Sequence, residues 1–67
     1  MDYVQLGKRV RIRRRVLDIT QEELAEKIGV CTSFIGHIER GTRKLSVETL
    51  HDLCRVLDVS ADFLLGL

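Results

Sequence analysis

The sequence predicts an all-α protein of five short helices in one domain, residues 1–67. Three observations support this prediction. The 67 residues include no proline, and 45% are hydrophobic and 31% charged, which is typical of a compact folded chain. Apolar residues recur at helical spacing. Five N-cap signals, each an apolar residue, a cap and a second apolar residue four positions after the cap, mark the helix starts.

These signals set the boundaries of the five helices. The caps are Asp2, Thr20, Cys31, Ser46 and Ser60. The predicted helices cover residues 3–17, 21–28, 32–40, 47–57 and 61–65. Thr20 with Glu23 matches a capping box, in which each residue satisfies a backbone N–H of the other. The residues expected to end helices in the left-handed conformation are Gly29, Gly41, Asp18 and Asp58.

The first helix carries one apolar stripe that includes a cation. Its members are Tyr3, Leu6, Val10, Arg14 and Leu17. Glu39 projects to the edge of the buried side of the third helix, where an unpaired carboxylate is costly. We predict an Arg14–Glu39 ion pair that orients the third helix; two independent surface charges are the alternative. Ile12 and Val16 form a second apolar pair that faces away from the stripe.

The stretch Gln21–Gly41, QEELAEKIGVCTSFIGHIERG, has the pattern of two short helices joined by a turn. Small Ala25 allows close helix crossing, Gly29 suits a turn that requires φ > 0, and Ile35 supplies a core contact. These three features at this spacing predict a helix-turn-helix, the motif whose second helix enters the major groove of DNA.

The third helix is predicted to have one apolar and one polar face. The inward group is Cys31, Phe34, Ile35 and Ile38. The outward group is Ser33, Gly36, His37 and Arg40. Thr32 lies between the two faces, near the helix N-terminus. The candidate base contacts are therefore Thr32, Ser33 and His37, with a plain polar surface as the alternative.

Charge is distributed unevenly along the chain. The formal net charge is +1, but residues 1–45 carry +4 and residues 46–67 carry −3. The predicted helix-turn-helix lies in the basic part, where Arg40, Arg43 and Lys44 flank the third helix. Local basic patches of this kind favour a nucleic-acid phosphate backbone, although many basic runs are only solvated helix faces.

The last two helices are predicted to complete the core. The buried stripe of the fourth helix is Val47, Leu50, Leu53, Cys54 and Leu57, with His51 at its border. The apolar residues of the fifth segment are Phe63, Leu64, Leu65 and Leu67. They exceed what so short a helix can bury, which predicts a homodimer through the C-terminal helix. The alternative is that the chain is the DNA-binding part of a longer protein.

Several classes of protein are disfavoured. Cys31 and Cys54 form no close pair, and His51 with Cys54 supplies at most two metal ligands, so no metal site is predicted. Cys31 and His37 lie on different helix faces, which argues against an enzyme, and no phosphate-binding glycine loop is present. We expect no cofactor, no membrane segment and a cytoplasmic location.

Four segments together resemble the Cro/repressor-type helix-turn-helix family over nearly the whole chain. They are Leu6-Gly-Lys-Arg-Val10, Thr20-Gln-Glu-Glu-Leu-Ala-Glu-Lys-Ile-Gly-Val30, Ile35 and Ile38-Glu-Arg-Gly41. The resemblance implies a five-helix, lambda-repressor-like domain with the motif at helices two and three, and dimers on palindromic operators. It also implies that Gln21 contacts a phosphate and braces the third helix at Thr32. The loop residues implied to grip phosphates are Thr42, Arg43 and Lys44.

The sequence departs from that family's pattern at the start of the third helix. Cys31 occupies a position where such proteins often have a hydroxyl cap, and Gly36 weakens the helix interior. An inward, inert packing role is expected for the Cys31 thiol. The predicted function is that of a transcriptional repressor that binds double-stranded DNA in a sequence-specific way. The alternative is a protein-interaction module of the same fold, an antitoxin or adaptor component.

Overall fold

A computed structural model describes residues 1–67 and contains five α-helices and no strand. The helices are α1 Tyr3–Val16, α2 Gln21–Ile28, α3 Thr32–Arg40, α4 Val47–Leu57 and α5 Ala61–Leu65. The predicted all-α fold is confirmed, and only the end of α1 differs from the predicted bounds, by one residue. None of the five helices has the length and hydrophobicity of a membrane-spanning segment.

Side-chain caps start four of the five helices. The capping residues are Asp2, Thr20, Ser46 and Ser60, and each accepts a hydrogen bond from the backbone N–H three residues later. At α2 the predicted capping box is present: Glu23 N donates to Thr20 Oγ1 at 3.0 Å, and Thr20 N donates to Glu23 Oε1 at 2.9 Å. The bond from the Thr20 backbone lowers the pKa of the Glu23 carboxyl.

The predicted left-handed residues all have positive φ. Gly29 and Gly41 end α2 and α3 with φ of 74° and 75°, and Asp18 and Asp58 follow α1 and α4 with φ of 57° and 55°. The two aspartates adopt this conformation at some cost, because a Cβ disfavours it. The turns between the helices are therefore set by local sequence.

The core forms where all five helices meet. Its fully buried members are Leu6, Val10, Leu24, Ala25, Ile35, Ile38, Leu53, Leu57 and Leu64. A contact that the sequence analysis missed lies at Gly7, where a Cβ would collide with the backbone carbonyls of Ile38 and Glu39. Glycine at this position therefore lets α1 approach the C-terminal half of α3 closely, which fixes the position of α3.

Two predicted core positions are wrong. Leu17 is 36% exposed because α1 ends before it, and Val47 is 80% exposed because it starts α4 at the edge of the bundle. Ile12 and Val16, which had no assigned contact, are exposed as well. The C-terminal segment buries Leu64 but leaves much of its remaining apolar surface in solvent.

Candidate nucleic-acid interface

Helices α2 and α3 form the predicted helix-turn-helix. Ala25 is 2% exposed and Ile35 is fully buried, and the left-handed Gly29 turns the chain between the two helices. Nothing lies within 4 Å of a Cβ built on Gly29, so its backbone conformation alone favours glycine there. Ala25, Gly29 and Ile35 thus occupy the positions that the sequence predicted, and α3 lies against the body of the protein with one face outward.

The outward face of α3 is polar. Thr32, Ser33 and Arg40 are exposed, and His37 is half-buried. Gly36 also lies on this face, but it is buried, whereas it was predicted to face solvent or DNA. The guanidinium of Arg40 folds back over it, since a Cβ on Gly36 would lie 3.0 Å from Arg40 Nη1. The absence of a side chain at Gly36 therefore lets Arg40 lie flat along the helix.

A buried ion pair joins α1 to α3. Arg14 Nε donates to Glu39 Oε2 at 2.6 Å and Arg14 Nη2 donates to Glu39 Oε1 at 3.1 Å, as predicted from the helical projection. The two side chains are only 11% and 3% exposed. Arg14 Nη1 also donates to the carbonyl of Ile19 at 2.9 Å. The hydrogen bond between Arg14 and the Glu39 carboxylate raises the pKa of Arg14, so the guanidinium stays charged despite its burial.

Gln21 belongs to the same cluster. Its Nε2 donates to Glu39 Oε1 at 3.0 Å, and it makes no hydrogen bond to Thr32. The predicted brace at Thr32 is therefore wrong: Gln21 braces α3 through Glu39, near the other end of the helix. The family resemblance does not specify the contact between Gln21 and Glu39, because this contact depends on how α1 positions Glu39.

The end of α3 is joined to the following loop by a side-chain pair. His37 Nδ1 lies 2.8 Å from Thr42 Oγ1, and Thr42 N donates to the carbonyl of His37 at 3.0 Å. The Thr42 hydroxyl also lies 3.2 Å from that carbonyl. Both donors of Thr42 are thus bonded to His37, and neither is left for the phosphate contact predicted for Thr42.

Two cations of the same loop are exposed. The guanidinium carbon of Arg43 lies 5.2 Å from the centre of the Phe34 ring, within cation–π range. Phe34 lies in α3, is partly buried and packs against the core. Lys44 follows Arg43 in solvent. Stacking on Phe34 holds the charge of Arg43 close to the exposed face of α3.

The Cys31 thiol is exposed rather than packed inward, which corrects the sequence prediction. It makes no capping hydrogen bond to α3, and its Sγ lies 3.2 Å from Ser33 Oγ. The hydrogen bond with Ser33 is the main cause that lowers the pKa of the Cys31 thiol. In contrast, burial raises the pKa of Cys54.

Two arginines beside the interface were missed by the sequence analysis. Arg11 and Arg15 are exposed on α1 and line a polar concavity that also includes Gln21 and Thr32. Arg11 also lines the shallow depression around Gly36. The spacing offered a signal, because Arg11 lies one helical turn before Arg14 and so shares its side of α1. The basic surface therefore extends from the loop after α3 to α1.

The bundle, its turn and its polar outward helix define a helix-turn-helix domain. A family model described as helix-turn-helix matches residues 5–64. The chain belongs to this family, and it is a transcriptional regulator rather than an enzyme. No group of three or more histidine, cysteine or acidic side chains is placed to hold a metal ion.

Individual relatives agree with this assignment. The chain is 41% identical over 56 residues to the uncharacterized regulator YazB of Bacillus subtilis (strain 168), covering 84% of this chain and 81% of YazB. Several other curated relatives are longer, and the chain spans 41% to 54% of their length.

Solved structures share the fold. The restriction-modification controller protein C.AhdI from Aeromonas hydrophila superimposes with a TM-score of 0.88 at 35% identity, covering 94% of this chain and 96% of that one. The P22 c2 repressor, solved in complex with a synthetic operator, gives a TM-score of 0.84 at 36% identity, covering 88% and 89%.

Proposed function

We propose that the protein is a transcriptional repressor that binds a palindromic DNA operator as a dimer, with α3 of each copy in the major groove. One observation carries the proposal: α3 presents a continuous polar face beside exposed cations, while the Arg14–Glu39 pair fixes its other side. The similarity to the P22 c2 repressor, solved with an operator, supports the same reading.

Thr32, Ser33 and His37 are the proposed base contacts. They lie on or beside the outward face of α3, and none of them takes part in the core. Hydroxyl groups can donate to or accept from base edges, and an imidazole nitrogen can do one or the other. The first two stand at the N-terminal end of α3, the end that commonly approaches the bases in this motif.

The proposed phosphate contacts surround this face. They are Gln21, Arg40, Arg43 and Lys44, together with Arg11 and Arg15 on α1. Gln21 Nε2 carries two protons and gives one to Glu39, which leaves one for a phosphate oxygen. Contacts of this kind position a protein on the duplex and make its affinity depend on salt. A cytoplasmic location is part of the same proposal, since the protein must reach its operator.

The proposed dimer interface lies at the C-terminal segment. Phe63 is 45% exposed and Leu67 is 88% exposed, and Val47 at the start of α4 is 80% exposed. Exposed apolar side chains that form a patch mark protein–protein interaction sites in soluble proteins. A dimer of this type would read two half-sites about one helical turn of DNA apart.

Selection of binding sites from a random DNA duplex pool tests the proposal. We expect the purified protein to enrich a palindrome with two half-sites one turn apart. Enrichment of a single half-site would remove the dimer from the proposal. If no sequence is enriched and no duplex is retained at low salt, the protein-interaction module becomes the favoured function.

A further inference from the structure

Two exposed arginines border one shallow depression beside the outward face of α3. Arg40 belongs to α3 and Arg11 to α1, and Gln21 and Gly36 line the same depression. Neither arginine takes part in an ion pair of the chain. Two like charges at one depression repel each other, whereas an anion between them attracts both. The arrangement therefore favours a bound anion.

The remaining residue of the depression, Glu39, does not oppose an anion. Its buried carboxylate accepts hydrogen bonds from Nε and Nη2 of Arg14, whose positive charge balances it, and a third from Gln21 Nε2. Gln21 Nε2 carries a second proton, which makes no hydrogen bond within the protein. The depression therefore offers two guanidinium groups and one amide N–H to a ligand with several acceptor oxygens.

Gly36 forms the surface on which the Arg40 guanidinium lies. A Cβ built on Gly36 would lie 3.0, 3.5 and 3.6 Å from Nη1, Nη2 and Cζ of Arg40, so the guanidinium covers the place of a side chain. Gly36 is not among the residues with positive φ, and glycine inside a helix costs stability. Space for Arg40, rather than backbone conformation, is therefore what glycine provides at this position.

We propose that Arg11, Gln21 and Arg40 bind one and the same DNA phosphate, and that Gly36 is a positioning residue that keeps Arg40 in place for it. This inference rests on the proposed function, which assigns these three side chains to phosphates without saying that they share one. A guanidinium can donate two parallel N–H bonds to phosphate oxygens, and an amide donates one. The helices α1, α2 and α3 are then fixed to the duplex at a single point.

Operator duplexes in which one phosphate at a time is replaced by a neutral methylphosphonate test the shared contact. We expect one position in each half-site where the replacement weakens wild-type binding about tenfold, the effect of lost charge-assisted hydrogen bonds. This loss should shrink to about threefold in Arg11→Ala and in Arg40→Ala, and to below about twofold in the double variant. Arg43→Ala, which removes a cation from the loop after α3, is the matched control and should keep the full loss.

Salt dependence gives a second measurement of the shared contact. Each phosphate that a protein neutralises contributes about 0.9 to the slope of log affinity against log salt. Arg11→Ala combined with Arg40→Ala should therefore reduce the slope by about 1, because only one phosphate loses its neutralising partners. A reduction of about 2 would show that the two arginines contact separate phosphates, and it would overturn the inference.

Gly36→Ala separates the positioning role from folding. The new Cβ meets only the flexible end of Arg40, and alanine favours a helix more than glycine does, so the thermal unfolding temperature should stay equal or rise. Operator binding should nevertheless weaken about threefold, because the guanidinium is displaced from the phosphate. In an Arg40→Ala protein the same change should weaken binding no further. Unchanged binding by Gly36→Ala alone would overturn its positioning role.

The other failures can be told apart. Loss of sensitivity at two different phosphates, one for each arginine, would overturn the shared contact while leaving DNA binding intact. A weakening by Gly36→Ala that persists in the Arg40→Ala protein would show that alanine crowds the DNA directly, and it would also overturn the positioning role. Absence of any wild-type DNA binding would instead remove the proposed function, and this inference with it.

Discussion

Arg14 and Glu39 form a two-point ion pair across the α1–α3 interface, with N–O distances of 2.6 and 3.1 Å. Because both side chains are largely buried, removing one partner leaves an uncompensated charge in the core. We expect Glu39→Ala to lower the free energy of unfolding by about 3 kcal/mol, measured by urea denaturation.

Two further sets of variants test whether burial of the ion pair is the reason for the loss of stability expected in Glu39→Ala. Replacing both residues, as in Arg14→Met with Glu39→Leu, should cost less than the single change because no charge remains unpaired. Arg55→Ala removes an exposed pair with Asp52 at 3.6 Å and should change stability by less than about 1 kcal/mol. A Glu39→Ala cost equal to that of Arg55→Ala would show that the pair behaves as surface charge.

Gly7 should be harder to replace than Gly29. A Cβ there would meet backbone carbonyls of α3, one of them at 2.6 Å, and backbone cannot rotate away as a side chain can. We expect Gly7→Ala to destabilise by roughly 2 to 3 kcal/mol through overpacking. Gly29→Ala has open space but φ of 74°, and should cost about 1 kcal/mol. Thermal unfolding of both variants checks the order, and the reverse order would contradict the close helix approach.

The contrast between Gly7 and the helix caps shows what the sequence could reveal. The caps and left-handed residues depend on side chains within a few positions, so the helix bounds were predicted almost completely. The role of Gly7 depends on which helix packs over α1, and no local pattern reports that. The Cys31 error has a local cause: its backbone is extended, with ψ of 156°, so its side chain does not follow the helical projection of α3.

The buried Gly36 illustrates a second limit. Projection correctly placed it on the outward face of α3, but the flexible side chain of Arg40 covers that face. The pairing of Arg14 with Glu39 was predicted correctly because each is a charge projected onto an apolar helix side. A buried charge is costly unless it is paired with an opposite charge. The buried contacts of the site were thus predictable from the sequence. The contacts of exposed, flexible side chains such as Arg40 were less predictable, because several conformations are open to them.

Asp58→Gly should stabilise the protein. Asp58 has φ of 55° at the end of α4, a conformation that costs less free energy for glycine than for a residue with a Cβ. We expect a gain of a few tenths to about 1 kcal/mol in unfolding free energy, partly offset by the greater freedom of glycine in the unfolded chain. Asp18→Gly, with φ of 57°, should behave alike. A clear loss of stability in either variant would contradict the left-handed turn.

The two cysteines should differ in reactivity. The pKa of exposed Cys31 is lowered chiefly by its hydrogen bond with Ser33, and the pKa of Cys54 is raised by burial. Because the thiolate is the reactive form, iodoacetamide should modify Cys31 faster at neutral pH. Its rate should also level off at a lower pH than that of Cys54. Rates measured separately in Cys54→Ser and Cys31→Ser proteins test this, and Ser33→Ala should shift the Cys31 profile to higher pH.

Arg43 and Ser33 should affect DNA binding in different ways. Arg43→Ala removes an exposed cation beside α3, so it should weaken binding to all sequences and reduce the slope of log affinity against log salt by about 1. Ser33→Ala should leave the slope unchanged and alter base preference, because a hydroxyl at the N-terminal end of α3 carries no charge. Arg55→Ala, on α4, is the matched control and should change neither quantity. Equal salt slopes for Arg43→Ala and Arg55→Ala would show that Arg43 makes no phosphate contact.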